Sequence, residues 1–181
     1  CPTLAASPKE GDEWQCVDPQ QALTVLTELQ ACPAELLQCV WPEGERMRLK
    51  GRRTLAQLSL GLKQQGDWFV LSGQLALDDG RVLQLRELLS LVSQHGGQFV
   101  PLGERDWLAL GDSLRQRLGV LAQLSDASGK GEGVRLNPLT APLLAELADE
   151  VGEFSADSAW DSYLARLQSL RDLPIALPER F

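Results

Sequence analysis

Ser113, within Gly111-Asp112-Ser113-Leu114, is the residue whose neighbours best suit it to act as a nucleophile. The tetrapeptide spells an esterase-type nucleophile block. That chemistry needs a histidine to take the hydroxyl proton and a carboxylate to orient the ring. His95 is the only histidine in the chain, and it lies upstream of Ser113. The simpler reading is that Asp112 or Ser113 caps the helix that follows. His95, near a helix end, is then placed where the dipole favours it.

Two carboxylate pairs, Asp78-Asp79 and Asp149-Glu150, have the residue types of acid/base machinery. The first adjoins Gly80 and reads as a turn; the second falls on a solvated helix face. Gly129-Lys130-Gly131 lacks the preceding glycine, the following Ser or Thr, and the strand that a phosphate-cradling loop requires. Cys1, Cys16, Cys32 and Cys39 fit no Cys-x-x-Cys spacing, so neither a zinc site nor a disulfide framework is expected. Cys16 and Cys39 sit in apolar, strand-like runs, where a thiol behaves as a small hydrophobe.

The sharpest compositional feature is a basic stretch. Arg46, Arg48, Lys50, Arg52 and Arg53 fall within eight residues that contain no acid, in a chain of net charge −8. An acidic body repels phosphate, so general nucleic-acid binding is disfavoured. In a strand, period two would place Arg46, Arg48, Lys50 and Arg52 on one face. That face is either a solvated edge protected against aggregation or a contact for a phosphate backbone or an acidic neighbour.

The elements that must position these residues follow in order. Residues 1–12 form a loose leader, and Trp14 to Val17 reads as a strand. Asp18-Pro19 starts a helix, with Asp as N-cap and Pro at the first helical position. Ala22, Val25, Leu26 and Leu29 give its apolar stripe, ending by Pro33. Leu36 to Trp41 is expected to be a short strand. Leu58, Leu60 and Leu62 alternate with polar residues, as does Trp68 to Leu77, predicting a long antiparallel hairpin with Gly73 as a bulge. Leu85, Leu88, Leu89 and Val92 stripe a helix, and residues 98–110 form a second hairpin. Helices then follow on Leu114, Leu118 and Leu121, on Leu143, Leu144, Leu147 and Val151, and on Trp160 to Leu170. The expected fold class is α+β: antiparallel β hairpins packed with amphipathic helices, ending in a small helical subdomain. Its expected parts are a leader (1–12), an α+β domain (13–125), a linker (126–133) and a C-terminal helical segment (134–181). No run reaches the ~18 apolar residues of a membrane span, and a cytoplasmic location is expected.

From about Trp68 to Phe181 the chain resembles the helicase-associated domain that precedes the motor in bacterial Swi/Snf-type ATPases. The residues that carry this are Asp79-Gly80-Arg81-Val82-Leu83, Leu85-Arg86-Glu87-Leu88-Leu89, Phe99-Val100-Pro101-Leu102-Gly103, Trp107-Leu108 and Ala141-Pro142-Leu143-Leu144. Trp160, Leu170-Arg171-Asp172-Leu173-Pro174 and Leu177-Pro178 complete the series. The resemblance implies a parent that is an ATP-dependent, duplex-DNA-directed translocase of helicase superfamily two. ATP and Mg would belong to its motor lobes. This chain has neither a Walker loop nor an Asp-Glu-x-His box, so the resemblance implies a non-catalytic accessory domain that itself holds no cofactor. Its partner would be the motor, and duplex DNA if the basic strand is used.

Overall fold

The computed structural model describes residues 1–40, 47–127 and 131–171. In chain order the elements are α1 (Pro2–Ala5), β1 (Lys9–Glu10), β2 (Glu13–Trp14), α2 (Pro19–Gln30), β3 (Arg48–Arg53), β4 (Leu58–Gln65), β5 (Trp68–Ala76) and β6 (Val82–Gln84). Then come α3 (Leu85–Gln94), β7 (Phe99–Pro101), β8 (Asp106–Leu110), α4 (Asp112–Leu124), β9 (Ser125–Asp126), β10 (Val134–Leu136), α5 (Ala141–Glu150), β11 (Glu153–Ala156) and α6 (Ser158–Arg171). The fold is α+β, as its alternating and helical periodicities predict.

The centre is the β4–β5 hairpin. Leu58, Leu60 and Leu62 face inward opposite Leu75, Gly73 and Leu71, and all five leucines are buried. The register closes on Gln65 opposite Trp68, leaving Gly66-Asp67 as a two-residue loop. Gly66 takes φ +60°, the conformation such a tight turn asks of a leading glycine. The pairing runs unbroken through Leu60 and Gly73, so Gly73 is not a bulge. A Cβ there would lie 2.6 Å from both Ser59 O and Leu60 Cδ2. Crowding between strands, not an extra residue, explains the glycine.

Around this hairpin the sheet runs β11-β4-β5-β10-β9, with β6 also on β5. The free edge of β5 is shared: β10 takes Phe69 to Leu71 and β6 takes Gln74 to Ala76. β11 lies parallel to β4, the other pairs antiparallel. The stretch expected as a linker therefore lies between β9 and β10, and the segment beyond it supplies β10 and β11 to this sheet. Residues from α3, α4, α5 and α6 join the sheet in one apolar cluster, including Leu88, Leu118, Leu144 and Trp160. Each such side chain, fully buried, contributes about 1.5–3 kcal/mol against exposure.

A second sheet, β3-β8-β7, is covered by α2 through Leu23, Leu26, Phe99 and Ala109. Asp18 accepts from the Gln20 and Gln21 backbone N–H groups and Pro19 fills the first turn, as the sequence predicts. Leu23 rather than Ala22 heads the buried stripe. In the leader, α1 is anchored to α2 by Glu28, which accepts from Thr3 N (3.1 Å) and Thr3 Oγ1 (2.5 Å). The strand expected at Leu36 to Trp41 does not form across its described part. Leu36 and Val40 are 80% and 84% exposed, and among the described residues no strand pairs with this run. Trp14 to Val17 likewise forms only the two-residue β2. No helix of the described residues is long and apolar enough to cross a membrane.

Candidate functional site

The basic stretch becomes β3, an edge strand running parallel to β8. Its register slips between Leu49 and Arg52, where Gly51 adopts φ +79°. A side chain at Gly51 would also meet Asp78 Oδ2 at 2.8 Å. The slip breaks period two, so the cations do not share a face. Arg48 and Arg52 are exposed, Lys50 is half-buried, and Arg53 is buried at 5% exposure. Arg46 lies outside the described residues.

Three of these cations, Lys50, Arg52 and Arg53, stand within ion-pair distance of carboxylates from other elements. Lys50 Nζ lies 3.6 Å from both Asp79 Oδ2 and Asp106 Oδ2. Arg81 Nη2 reaches the same two oxygens at 2.9 and 3.5 Å. Hydrogen bonds from the Arg81 side chain and backbone, with the charges of Arg81 and Lys50, bring the Asp79 carboxyl down to about 2. Asp79 in turn raises the Arg81 guanidinium above its usual value. Arg53 donates through Nε to Ala76 O at 3.0 Å and through Nη1 to Arg52 O at 3.3 Å, and pairs with Asp78 Oδ1 at 2.6 Å. Asp78-Asp79 thus belongs to the turn after β5, with Gly80 at φ +79°, as its sequence suggests. This charge lattice clips the edge of the smaller sheet to the β5–β6 turn of the larger one. Solvent screens the exposed pairs, so each contributes little on its own. Their combined effect is to satisfy cations that would otherwise be available to a phosphate.

A cavity of about 700 Å³ is bounded by Arg52, Thr54 and Leu55 on one side and by the start of α4 with Arg117 and Glu150 on the other. Arg52 Nη2 stands 3.5 Å from Asp112 Oδ2. Arg117 pairs with Glu150 and, at 3.3 Å, with Glu146. The Arg117 hydrogen bond holds the Glu150 carboxyl below its usual value, and the pair raises Arg117. Glu150 is therefore engaged in an ion pair across two helices, not lying free on a solvated face. Gly111 is the N-cap of α4 and makes no side-chain cap bond. Asp112 and Ser113 follow inside the first turn, so neither is the cap expected of them. His95 ends α3. Among the described residues no hydrogen bond joins it to Ser113 or to a carboxylate.

All four cysteines are free thiols. Cys16 is half-buried, 3.9 Å from Ser7 Oγ, but Cys39 is exposed because its run forms no strand. Among the described residues no group of His, Cys, Asp or Glu is arranged to hold a metal ion. Gly129-Lys130 lies outside the described residues.

Two polar features escape a reading by motif. Gln20, in the first turn of α2, bonds both the N–H and the C=O of Phe99 in β7 (2.9 and 2.7 Å). Trp68 projects from the tip of the main hairpin beside Tyr163 and Arg166. A sequence signal existed for the second: alternation that buries Phe69 turns Trp68 outward. None existed for the first, which joins residues 79 apart. In comparisons with family models, curated proteins and solved structures, this chain gave no significant match.

Proposed function

We propose that this chain is a non-catalytic accessory domain of a bacterial Swi/Snf-family, DNA-dependent ATPase. It packs beside the motor lobes and modulates how the motor engages DNA. The ordered motifs from Asp79-Gly80-Arg81 to Trp160 support the family. The observation that carries the non-catalytic, contact-based role is the fate of the basic strand. Lys50 and Arg53 are neutralised within the molecule by Asp78, Asp79 and Asp106, and serve as structural clips between sheets. In this reading ATP and Mg act only in the motor, and no residue here takes part in hydrolysis.

The second reading is a stand-alone nucleic-acid module that uses the exposed Arg48 and Arg52. Fluorescence anisotropy with a short DNA duplex separates the two. No signal is expected up to about 100 μM protein at low salt, the weak end of non-specific binding. Binding that falls steeply with salt and vanishes in the Arg48→Glu, Arg52→Glu double variant favours the second reading. The coding sequence after Phe181 tests the family directly. Continuation into a superfamily-two motor supports the accessory role, and any other continuation overturns it.

A further inference from the structure

Two cysteines far apart in sequence meet on one residue, Glu28. α1 lies against α2 and the leader runs back along it. Gln21 Nε2 donates to Ser7 Oγ at 3.0 Å, and further along α2 Glu28 accepts from Thr3 N and Oγ1. Cys1 precedes Thr3, so it comes over the end of α2, where its Sγ donates to Glu28 Oε2 at 2.8 Å. Cys32 reaches the same place from α2 itself. Gln21, Glu28 and Cys32 stand at i, i+7 and i+11, which share one helical face. Past the last helical residue the turn stays wound, with Cys32 N donating to Leu29 O (3.2 Å) and Cys32 Sγ to Glu28 O (3.4 Å). Cys32 therefore lies one turn, about 6 Å of helix rise, beyond Glu28, on the side to which Cys1 extends.

The other two thiols are placed elsewhere. Cys16 lies 3.9 Å from Ser7 Oγ, at the opposite end of α1. Cys39 is exposed, in a run that forms no strand. Cys1 is exposed and Cys32 half-buried, so a small disulfide reaches the first thiol while the second is sheltered beside it. With no buried side chain of its own, α1 depends on the hydrogen bonds at Thr3 and Ser7 to stay on α2. A segment held in that way sits at the low-stability end of a fold, where a covalent tie changes most.

We propose that Cys1 and Cys32 form a reversible disulfide by exchange with an oxidant of the glutathione-disulfide class, and that this bond latches the leader onto α2. The Cys1 thiolate attacks one sulfur of the oxidant, a mixed disulfide forms, and one glutathione thiolate leaves. The Cys32 thiolate then attacks the Cys1 sulfur, the mixed S–S bond breaks, and the second glutathione thiolate leaves. Two protein thiols are oxidised to one disulfide, the oxidant is reduced to two thiols, and the cysteine protons end on those thiols. A transient bond of this kind is compatible with a reducing compartment, where a disulfide framework does not persist. The latch goes beyond the accessory reading and does not depend on it. The test is equilibration of the full chain in mixtures of glutathione and its disulfide, followed by acid quenching, alkylation of the remaining thiols and peptide mapping by mass spectrometry. The Cys16→Ser, Cys39→Ser double variant is run alongside. One linked pair, Cys1 to Cys32, is expected in both chains. The effective concentration of the two thiols should be at least about tenfold higher in the folded chain than in urea. Glu28→Ala, which releases α1, should lower the folded-state value about fivefold. A chain that stops at glutathione on Cys1, or that links Cys1 to Cys16 or Cys39 instead, overturns the proposal. So does equal effective concentration with and without urea, which would leave only random closure of the loop. A Cys1–Cys32 bond that gives residues 1–17 no added protection from limited proteolysis overturns the latch.

Discussion

The contact between Gln20 and β7 makes the most exacting prediction, because two residues 77 apart in sequence should be energetically one. β7 is an edge strand, and Gln98 O accepts from Leu110 N on its inner side. The N–H and C=O of Phe99 therefore point away from the sheet, where an unpaired edge invites foreign strands. The Gln20 amide takes both, as the next strand's backbone would, at 2.9 and 2.7 Å. Removing it in Gln20→Ala strands a donor and an acceptor on a buried residue, for a loss of about 2–3 kcal/mol. Gly97 is the steric counterpart. A Cβ there would sit 2.3 Å from Gln20 Cδ and Oε1, and its φ is not positive, so the amide is the nearest obstacle to a side chain. Gly97→Ala alone should push the amide aside and lose most of the same 2–3 kcal/mol. In the Gln20→Ala background the obstruction is gone, and the same change should be neutral or stabilise by up to about 1 kcal/mol through the unfolded chain. The double-mutant cycle, read by urea denaturation, should show a coupling of about 2 kcal/mol. Distant sites add to within roughly 0.5 kcal/mol. Additivity within that margin would refute the pseudo-strand role of Gln20.

Two further perturbations test the core and the charge lattice. Phe69→Ala removes a fully buried ring and both of its edge-on contacts with Trp160 and Tyr163, and should destabilise by about 3–5 kcal/mol in denaturant titrations. A loss below roughly 1.5 kcal/mol would mean that α6 does not pack on the hairpin as described. Asp79 is held at about 2 from a usual 3.8, so its folded-state pKa is depressed. Its contribution is complete above the unfolded pKa and is lost as pH falls from about 4 towards 2. Asp79→Asn should therefore flatten the decline of stability across that window, measured by denaturation at stepped pH. An unchanged slope would show that Arg81 does not favour the ionised form.

What could be read from the chain, and what could not, follows from the range over which each signal acts. The β4–β5 hairpin, the Asp18-Pro19 helix start, the α3 stripe and the hairpin from Phe99 to Leu110 are each specified within about ten residues, the range that periodicity and capping report on. β10 and β11 have only three and four residues, too few for alternation to register, and they gain strand geometry from β5 and β4. Leu36 to Val40 shows the converse: apolar composition without a partner strand leaves the run exposed. The basic strand is the instructive case for function. Its composition was plain, but one glycine turned the alternation out of phase, and four aspartates from three other elements decided which cations were paired. Lys63 and Arg135 both stand opposite Val70, whereas Arg166 lines the cavity beside Phe69 on the other face of the sheet, so these three scattered cations form no single patch. In an acidic chain, a cluster of basic residues in sequence is thus weaker evidence of a binding surface than a cluster of unpaired ones in space, because local carboxylates neutralise the former before any partner arrives.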